Sequence, residues 1–246
     1  IDVRESAARD AQQIWEQSPG NCCFNFQVGN ANAADEAITA APTVVRLSSD
    51  NGRLVQNPLE TRGYVGLWDA DAECYTLHAA AGKPQTVGRD LAQFVFDLPE
   101  DRVQTVVKDV GGGFGAKNPL YPEQALVLWT AKKLNRPVSW QSSRSETFLA
   151  DYQGRGQAAD AEMALDETGS VLALRVKILA DLGAFLGPRG STAPNMWRTM
   201  GASVYDLSVV DYNVSAIHTH NMPTCPYRGA GAPEAVFIIE RLFDLA

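Results

Sequence analysis

Gln157-Ala-Ala-Asp-Ala-Glu-Met-Ala-Leu165, the turn Asp166-Glu-Thr-Gly169 and Val171-Leu-Ala-Leu-Arg-Val-Lys-Ile-Leu-Ala180 follow one another with only Ser170 between turn and second run. Two runs of strand length around a turn bearing aspartate, threonine and glycine read as a long β-hairpin, because these residues supply the local hydrogen bonds and backbone freedom that a tight reversal needs. Beyond the hairpin, Asp181 to Pro194 holds three glycines and two prolines and reads as a loop, Val209 to Thr219 as a further strand, and the segment from near Ala232 as a closing helix. Before it, Ser143 to Ala150 reads as a short helix and Pro137 to Gln141 as a short strand. Pro122 to Leu134 is the clearest helix: Ala125, Leu128, Trp129, Lys132 and Lys133 keep helical spacing, with Glu123 at the start and lysines at the end, as the helix dipole favours. Further out, a helix is expected over Pro84 to Phe96 and another over Asn30 to Ala41. Strands are expected over Thr43 to Ser48, Gly63 to Asp69, Cys74 to Ala80 and, weakly alternating, Val103 to Val110. Strands, hairpins and helices alternating in this way predict an α+β fold, a two-layer mixed-sheet arrangement rather than a doubly wound parallel sheet.

The bulk composition narrows the function classes. A chain of 246 residues can bury a genuine core. Its 45% hydrophobic and 20% charged content is that of a globular protein. A net charge of -8 without a lysine and arginine cluster argues against nucleic-acid binding. No apolar run approaches the roughly 18 residues that span a bilayer, and the charged opening segment is unlike a signal peptide, so the expected compartment is the cytoplasm. Cys22, Cys23, Cys74 and Cys225 lack metal-binding spacing and read as reduced thiols. His218 and His220, two apart on a strand, share a face; without a third ligand they read as half-buried strand residues, and no metal ligand is assigned.

Two elements stand apart. In Val110-Gly-Gly-Gly-Phe-Gly-Ala-Lys117 four glycines bare the backbone, so consecutive N–H groups can approach an anion or oxo group, beside the apolar wall of Phe114. A tight strand-to-helix turn would use the same residues, and both readings stay open at this point. The run is neither a P-loop, since Asn118 follows Lys117, nor a dinucleotide fingerprint, since Pro119 and Pro122 delay the helix. The second element, Pro226-Tyr-Arg-Gly-Ala-Gly-Ala-Pro-Glu234, adds the fixed charge of Arg228 among further glycines.

Asn57-Pro-Leu-Glu-Thr-Arg-Gly63, Val110 to Lys117, Glu123 with Ala125-Leu126, Arg136-Pro-Val138, Arg144-Ser-Glu146, Asp181-Leu-Gly-Ala-Phe185, Tyr227 to Ala235 and Glu240-Arg241 occur in this order. In that order and combination the chain resembles the large subunit of the molybdenum hydroxylases, the xanthine dehydrogenase, aldehyde oxidase and carbon monoxide dehydrogenase family. The resemblance implies the first molybdopterin-binding domain of that type, in an enzyme that hydroxylates an aldehyde or N-heterocycle with water as oxygen donor. It implies a molybdopterin cofactor, in bacterial members usually the cytosine dinucleotide form, held by Gly112, Gly113, Phe114, Gly115, Gly229 and Ala230, with Arg228 on the substrate side. It also implies 2Fe-2S and FAD centres on other domains or subunits, and a C-terminal molybdopterin-binding domain of the same polypeptide as partner.

The chain departs from the family pattern at three points. Ala81-Gly82 stands where a glutamine commonly contacts the metal's oxo group, Asn118 where purine-oxidising members have glutamate, and Gly229 where carbon monoxide dehydrogenases have cysteine. A start at Ile1 and an uncapped final helix suggest cuts at both ends of a longer polypeptide, with the family's general base beyond Ala246. The expected layout is a tail of a preceding domain or linker over residues 1–22 and the binding domain over 23–246, in two lobes, 23–110 and 111–246. The isolated chain is expected to be inactive and to hold none of these cofactors alone; a scaffold role without chemistry is the alternative. Glu60 with Arg62 reads as an ion pair or loop brace, and Glu234 as a first-turn capping acid.

Overall fold

The computed structural model describes residues 2–246, which form two units, one interrupting the sequence of the other. The first begins with α1 (Val3–Ser6), β1 (Cys22–Gly29), α2 (Ala31–Ala40) and β2 (Thr43–Asn51). The second, Val55–Asp151, holds β3 (Gly63–Asp69), β4 (Cys74–Ala79), α3 (Pro84–Asp90), β5 (Val103–Val106), α4 (Pro122–Leu134), β6 (Val138–Gln141) and α5 (Arg144–Ala150). The first then resumes with β7 (Gln157–Leu165), β8 (Val171–Gly183), α6 (Thr192–Asn195), α7 (Trp197–Met200), β9 (Val210–His218) and α8 (Ala232–Leu245). The α+β class with mixed sheets is as expected.

In the first unit five strands run in the order β1-β9-β8-β7-β2, and only β8 and β9 are parallel neighbours. The β7–β8 hairpin sets Ala159 opposite Ile178, Ala161 opposite Val176 and Met163 opposite Leu174. This face is fully buried under Ala235, Ile238, Ile239 and Leu242 of α8, whose spacing is that of one helical stripe. Small residues on one strand facing large ones on the next let the helix seat closely. The period of two puts Asp160 opposite Lys177 and Glu162 opposite Arg175 on the other face. There Asp35 of α2 pairs with Arg175 at 2.6 Å, and Val3 of α1 packs with Ala158 and Ile217.

The expected lobes at 23–110 and 111–246 are replaced by this division. Because β7 pairs along its whole length with β2, chain from both sides of residues 55–151 closes one sheet. Residues before Cys22 also join it, Arg4 reaching Asp160 at 2.7 Å. The expected loop from Asp181 is shorter, since β8 continues to Gly183 and α6 begins at Thr192. Asp181 is buried and accepts from the Thr219 hydroxyl at 2.7 Å and the Gly183 N–H at 2.8 Å, with the Arg53 guanidinium 2.9 Å away. Partners distant in sequence thus hold that end extended.

In the second unit four strands run β5-β4-β3-β6, with β4 and β5 parallel. Tyr64, Tyr75, Leu77, Val87, Leu91, Val127 and Leu128 form its core. Gly66 in β3 lies directly under α4: a Cβ there would come 2.6 Å from the Val127 carbonyl oxygen. The expected helix over Pro84 to Phe96 is regular only to Asp90 and continues as a wide π turn, Leu91–Phe96. The strand expected to run to Val110 stops at Val106, leaving four residues of connection before the glycine run.

Two outcomes are expected. Gly66→Ala should lower the stability of the second unit by about 1–3 kcal/mol, the range for forcing a methyl group into packed space, measured by chemical denaturation. At the hairpin turn, the Thr168 hydroxyl and the Ser170 and Thr168 N–H groups hold the Asp166 carboxyl below its ordinary range. A depressed carboxylate pKa means that the turn's stabilisation is present above the ordinary range and lost as pH falls through the lowered value. NMR should show Asp166 titrating below a free aspartate, with Ser170 amide exchange rising in step; an ordinary titration would refute this.

Candidate functional site

The glycine run lies wholly in the second unit, between β5 and α4, and the Tyr227 to Gly231 turn wholly in the first. Each is built from its own surroundings.

Gly112, Phe114 and Gly115 have φ of +92°, +49° and +111°, a left-handed path that only glycine follows without strain, so the loop turns back on itself within a few residues. Phe114 accepts that conformation and leaves its ring 44% exposed. Two internal bonds shape the turn, Ala116 N–H to Gly113 O at 2.8 Å and Asn118 N–H to Gly115 O at 3.1 Å. The N–H groups of Gly112, Gly113, Phe114 and Gly115 make no hydrogen bond among the described residues. Successive backbone N–H donors left without partners in one turn are the kind of group that an anion-binding concavity is made from.

The loop is fastened at both ends. Glu60 Oε2 accepts from the Gly111 N–H at 2.8 Å and from Lys117 Nζ at 2.7 Å, and the Lys117 side chain is 1% exposed. Burial alone would push the Glu60 carboxyl up; the bonds from Lys117 and Gly111 outweigh it and hold the group below its ordinary range. Glu60 is thus a loop brace, and it does not pair with Arg62. Arg62 is itself buried and binds Asp151 at 2.6 Å and Glu123 at 2.9 Å, with Tyr121 under its guanidinium at 3.8 Å. Tyr121 donates its hydroxyl to Ala116 O at 2.9 Å, linking this cluster to the loop. Glu123, expected only as a helix-start acid, is therefore also a counter-charge.

Two of the sequence departures lie against each other. Gly82 donates to Lys117 O at 3.2 Å, and a Cβ on Gly82 would collide with the Asn118 carboxamide. A larger residue at 82 would require the Asn118 side chain to turn away, a contact invisible from sequence spacing.

In the first unit, Gly229, Ala230 and Gly231 all have positive φ, at +96°, +50° and +101°, immediately before α8. Arg228 is exposed and its side chain makes no ion pair among the described residues. Its carbonyl accepts from Arg155 Nη2 at 3.0 Å; Arg155 also pairs with Glu234 at 3.1 Å and stacks on the Tyr227 ring at 4.5 Å. Glu234 therefore does not cap α8, whose first turn carries no side-chain cap; it is a buried counter-ion. Arg155 escaped sequence reasoning, although its place in Gly154-Arg-Gly156 marked a constrained backbone and it adopts a φ of +61°. His218 is buried against the Gly183 carbonyl and His220 is exposed, so they do not form a matched pair; among the described residues no cluster of metal-ligating side chains occurs.

A sequence model of the family described as "Molybdopterin cofactor-binding domain" matches residues 14–246. The chain is similar to the carbon monoxide dehydrogenase large chain of Hydrogenophaga pseudoflava, with 30% identity over 231 residues, 92% of this chain and 28% of the relative. It is also similar to the nicotine 6-hydroxylase large subunit of Paenarthrobacter nicotinovorans, with 30% identity over 214 residues, 85% of this chain and 26% of the relative. Among solved structures, quinoline 2-oxidoreductase from Pseudomonas putida 86 superposes with a TM-score of 0.84 at 28% identity, covering 92% of this chain and 29% of that one. A Cu,Mo-CO dehydrogenase shares the fold at a TM-score of 0.91 and 24% identity, covering 100% of this chain and 33% of that one. The chain therefore spans little more than a quarter of the length of the curated relatives it matches.

Removing the charge that organises the second unit should be costly. Arg62→Met strands Asp151 as a buried carboxylate without a counter-charge, and a loss of about 3–5 kcal/mol is expected in chemical denaturation. Adding Asp151→Asn in the same molecule should recover part of that loss. A loss below about 1 kcal/mol would show that the pair behaves like an exposed one.

Proposed function

Since the chain belongs to the family of molybdopterin cofactor-binding domains, whose relatives are molybdenum hydroxylases, we propose that it supplies one wall of the active site in a molybdenum-dependent oxidoreductase acting on an aldehyde or N-heterocycle, with water as oxygen donor. The observation that carries this reading is the row of four free N–H donors from Gly112 to Gly115, in a loop fastened at both ends. When bound, the molybdenum cofactor would supply the two-electron redox chemistry. The chain's own residues hold and orient. Gly112, Gly113, Phe114 and Gly115 donate N–H bonds to anionic oxygen without reorganising, which is where preorganised dipoles are most effective. The exposed Phe114 ring walls that side against water. Gly229 and Ala230, in the first unit, offer the bared backbone of their own turn as cofactor-binding positions. The Arg228 guanidinium, exposed and unpaired among the described residues, holds negative charge developing on the substrate.

The same reading assigns the cofactor's cytosine dinucleotide form, iron-sulfur and FAD centres on other domains or subunits, and a C-terminal molybdopterin-binding domain of the same polypeptide that brings the general base. A cytoplasmic location goes with it. Gly229 after Arg228 speaks against carbon monoxide as the substrate, and Asn118 against a purine. For the 246 residues in isolation the short span relative to the relatives favours a second reading, a scaffold that holds no cofactor until its partner domain is present.

Full-length protein from a host that makes the cofactor should carry close to one molybdenum and one pterin per chain, read by elemental analysis and by fluorescence of the acid-released pterin. Gly112→Val, which places a branched side chain at a φ of +92° against Phe114 and Pro58, should lower both at least several-fold while leaving the fold intact. Full-length wild-type protein without pterin would sink the proposal. The 246-residue chain alone, if it retains the cofactor, would sink the scaffold reading.

A further inference from the structure

Glu60 is the point at which the glycine loop is tied to the rest of the second unit. Its backbone N–H donates to Gly111 O at 3.2 Å, and its Oε2 accepts from both the Gly111 N–H and Lys117 Nζ. One residue thus grips the first position of the loop twice and the last once. The fit at Gly111 is close: a Cβ there would stand 2.5 Å from Glu60 Cβ. The Lys117 stem runs beneath Gly113, its Cβ and Cδ 3.6 and 3.9 Å from where a side chain at 113 would begin. Glu60 is in turn held from behind, since Arg144 of α5 donates to the Pro58 and Leu59 carbonyls at 2.7 Å each and to Asn57. Within and just past the tied loop, the Ala116 and Asn118 amides are bonded back to Gly113 and Gly115, and the four donors from Gly112 to Gly115 are bonded to nothing among the described residues. Donors without partners do not order themselves; something outside the loop must fix their direction.

We propose that Glu60 is a positioning residue for the cradle: with Lys117 as its buried counter-charge, it fixes both ends of the loop so that the N–H groups of Gly112 to Gly115 stay directed at an anionic ligand. Glu60 touches neither ligand nor substrate and acts only through Gly111 and Lys117. The proposal rests on the cofactor reading above, and its test has a readout independent of it.

Glu60→Gln removes the charge but leaves Lys117 buried without a counter-ion, so the Glu60→Gln/Lys117→Met double variant, with no buried charge, is the decisive comparison. Hydrogen exchange by NMR is followed at the Gly111, Ala116, Asn118 and Gly82 amides, all bonded within the braced region, and at the α4 amides as a reference for the unit. In the double variant these four amides should exchange about tenfold faster or more, as expected for losing charge-assisted hydrogen bonds, while α4 keeps wild-type protection. In the full-length, cofactor-loaded protein the same variant should lose molybdenum and pterin several-fold faster during dialysis. Unchanged loop exchange overturns the proposal, as does α4 loosening as much as the loop, which would make Glu60 a support of the whole unit. Faster loop exchange with unaltered cofactor retention also overturns it. Wild-type full-length protein that binds no pterin overturns the cofactor reading instead, and the exchange data still decide whether Glu60 holds the loop.

Discussion

The guanidinium of Arg62 lies almost wholly out of water, and the second unit is arranged around keeping it there. Desolvating a cation costs several kcal/mol unless close, well-directed partners offset it. Asp151 and Glu123 provide charge from two helix termini, and Tyr121 and Trp140 provide aromatic faces at 3.8 and 5.1 Å. Burial works to lower the Arg62 pKa, and the bond to Glu123 with the charges around it more than reverses this, so the group stays ionised. The approach to β3, the first turn of α4 and the end of α5 therefore meet at one charge and cannot move independently. Through the Tyr121 hydroxyl the same cluster reaches Ala116, at the C-terminal side of the glycine loop.

A loop whose N–H donors from Gly112 to Gly115 find no partner among the described residues has few internal bonds to stabilise it. The second unit answers with a brace made of charge: a nearly buried lysine, a glutamate that closes on it, and an arginine that holds the glutamate's own segment. The first unit treats its own turn in a similar way. Arg155 spans from the Glu234 carboxylate to the Arg228 carbonyl and stacks on Tyr227, so the backbone that presents Arg228 is fixed while its side chain stays free. In both places the rigidity comes from an ion pair in which one charged side chain, Lys117 or Glu234, is buried.

Much of this was legible in the chain, and the parts that were not share a cause. The hairpin at Gln157 to Ala180, helix α4 and the onset of α8 near Ala232 follow from side-chain period and turn chemistry, which act within a few residues. The glycine run was recognised as a possible cradle for the same reason, because left-handed backbone at Gly112 and Gly115 is a local demand. Where the expectation failed, a remote partner had intervened. Asp181 extends β8 because Arg53 and Thr219 bind it, and Glu234 leaves its capping role because Arg155 claims it. Gly82 and Asn118, far apart in sequence, are in contact in the fold.

By itself the sequence determined where the backbone must turn, which faces of its strands and helices are apolar, and which family the ordered motifs place it in, since each of these is written in residues close together or in their order along the chain. Only the tertiary structure decided which charges meet. Glu60 and Lys117 are 57 positions apart, Arg155 and Glu234 are 79 apart, and Arg62 and Asp151 are 89 apart. A carboxylate can serve any of several cations until the sheets close and burial makes one pairing far less costly than the others, so the partners that shape both turns became visible only in the folded chain.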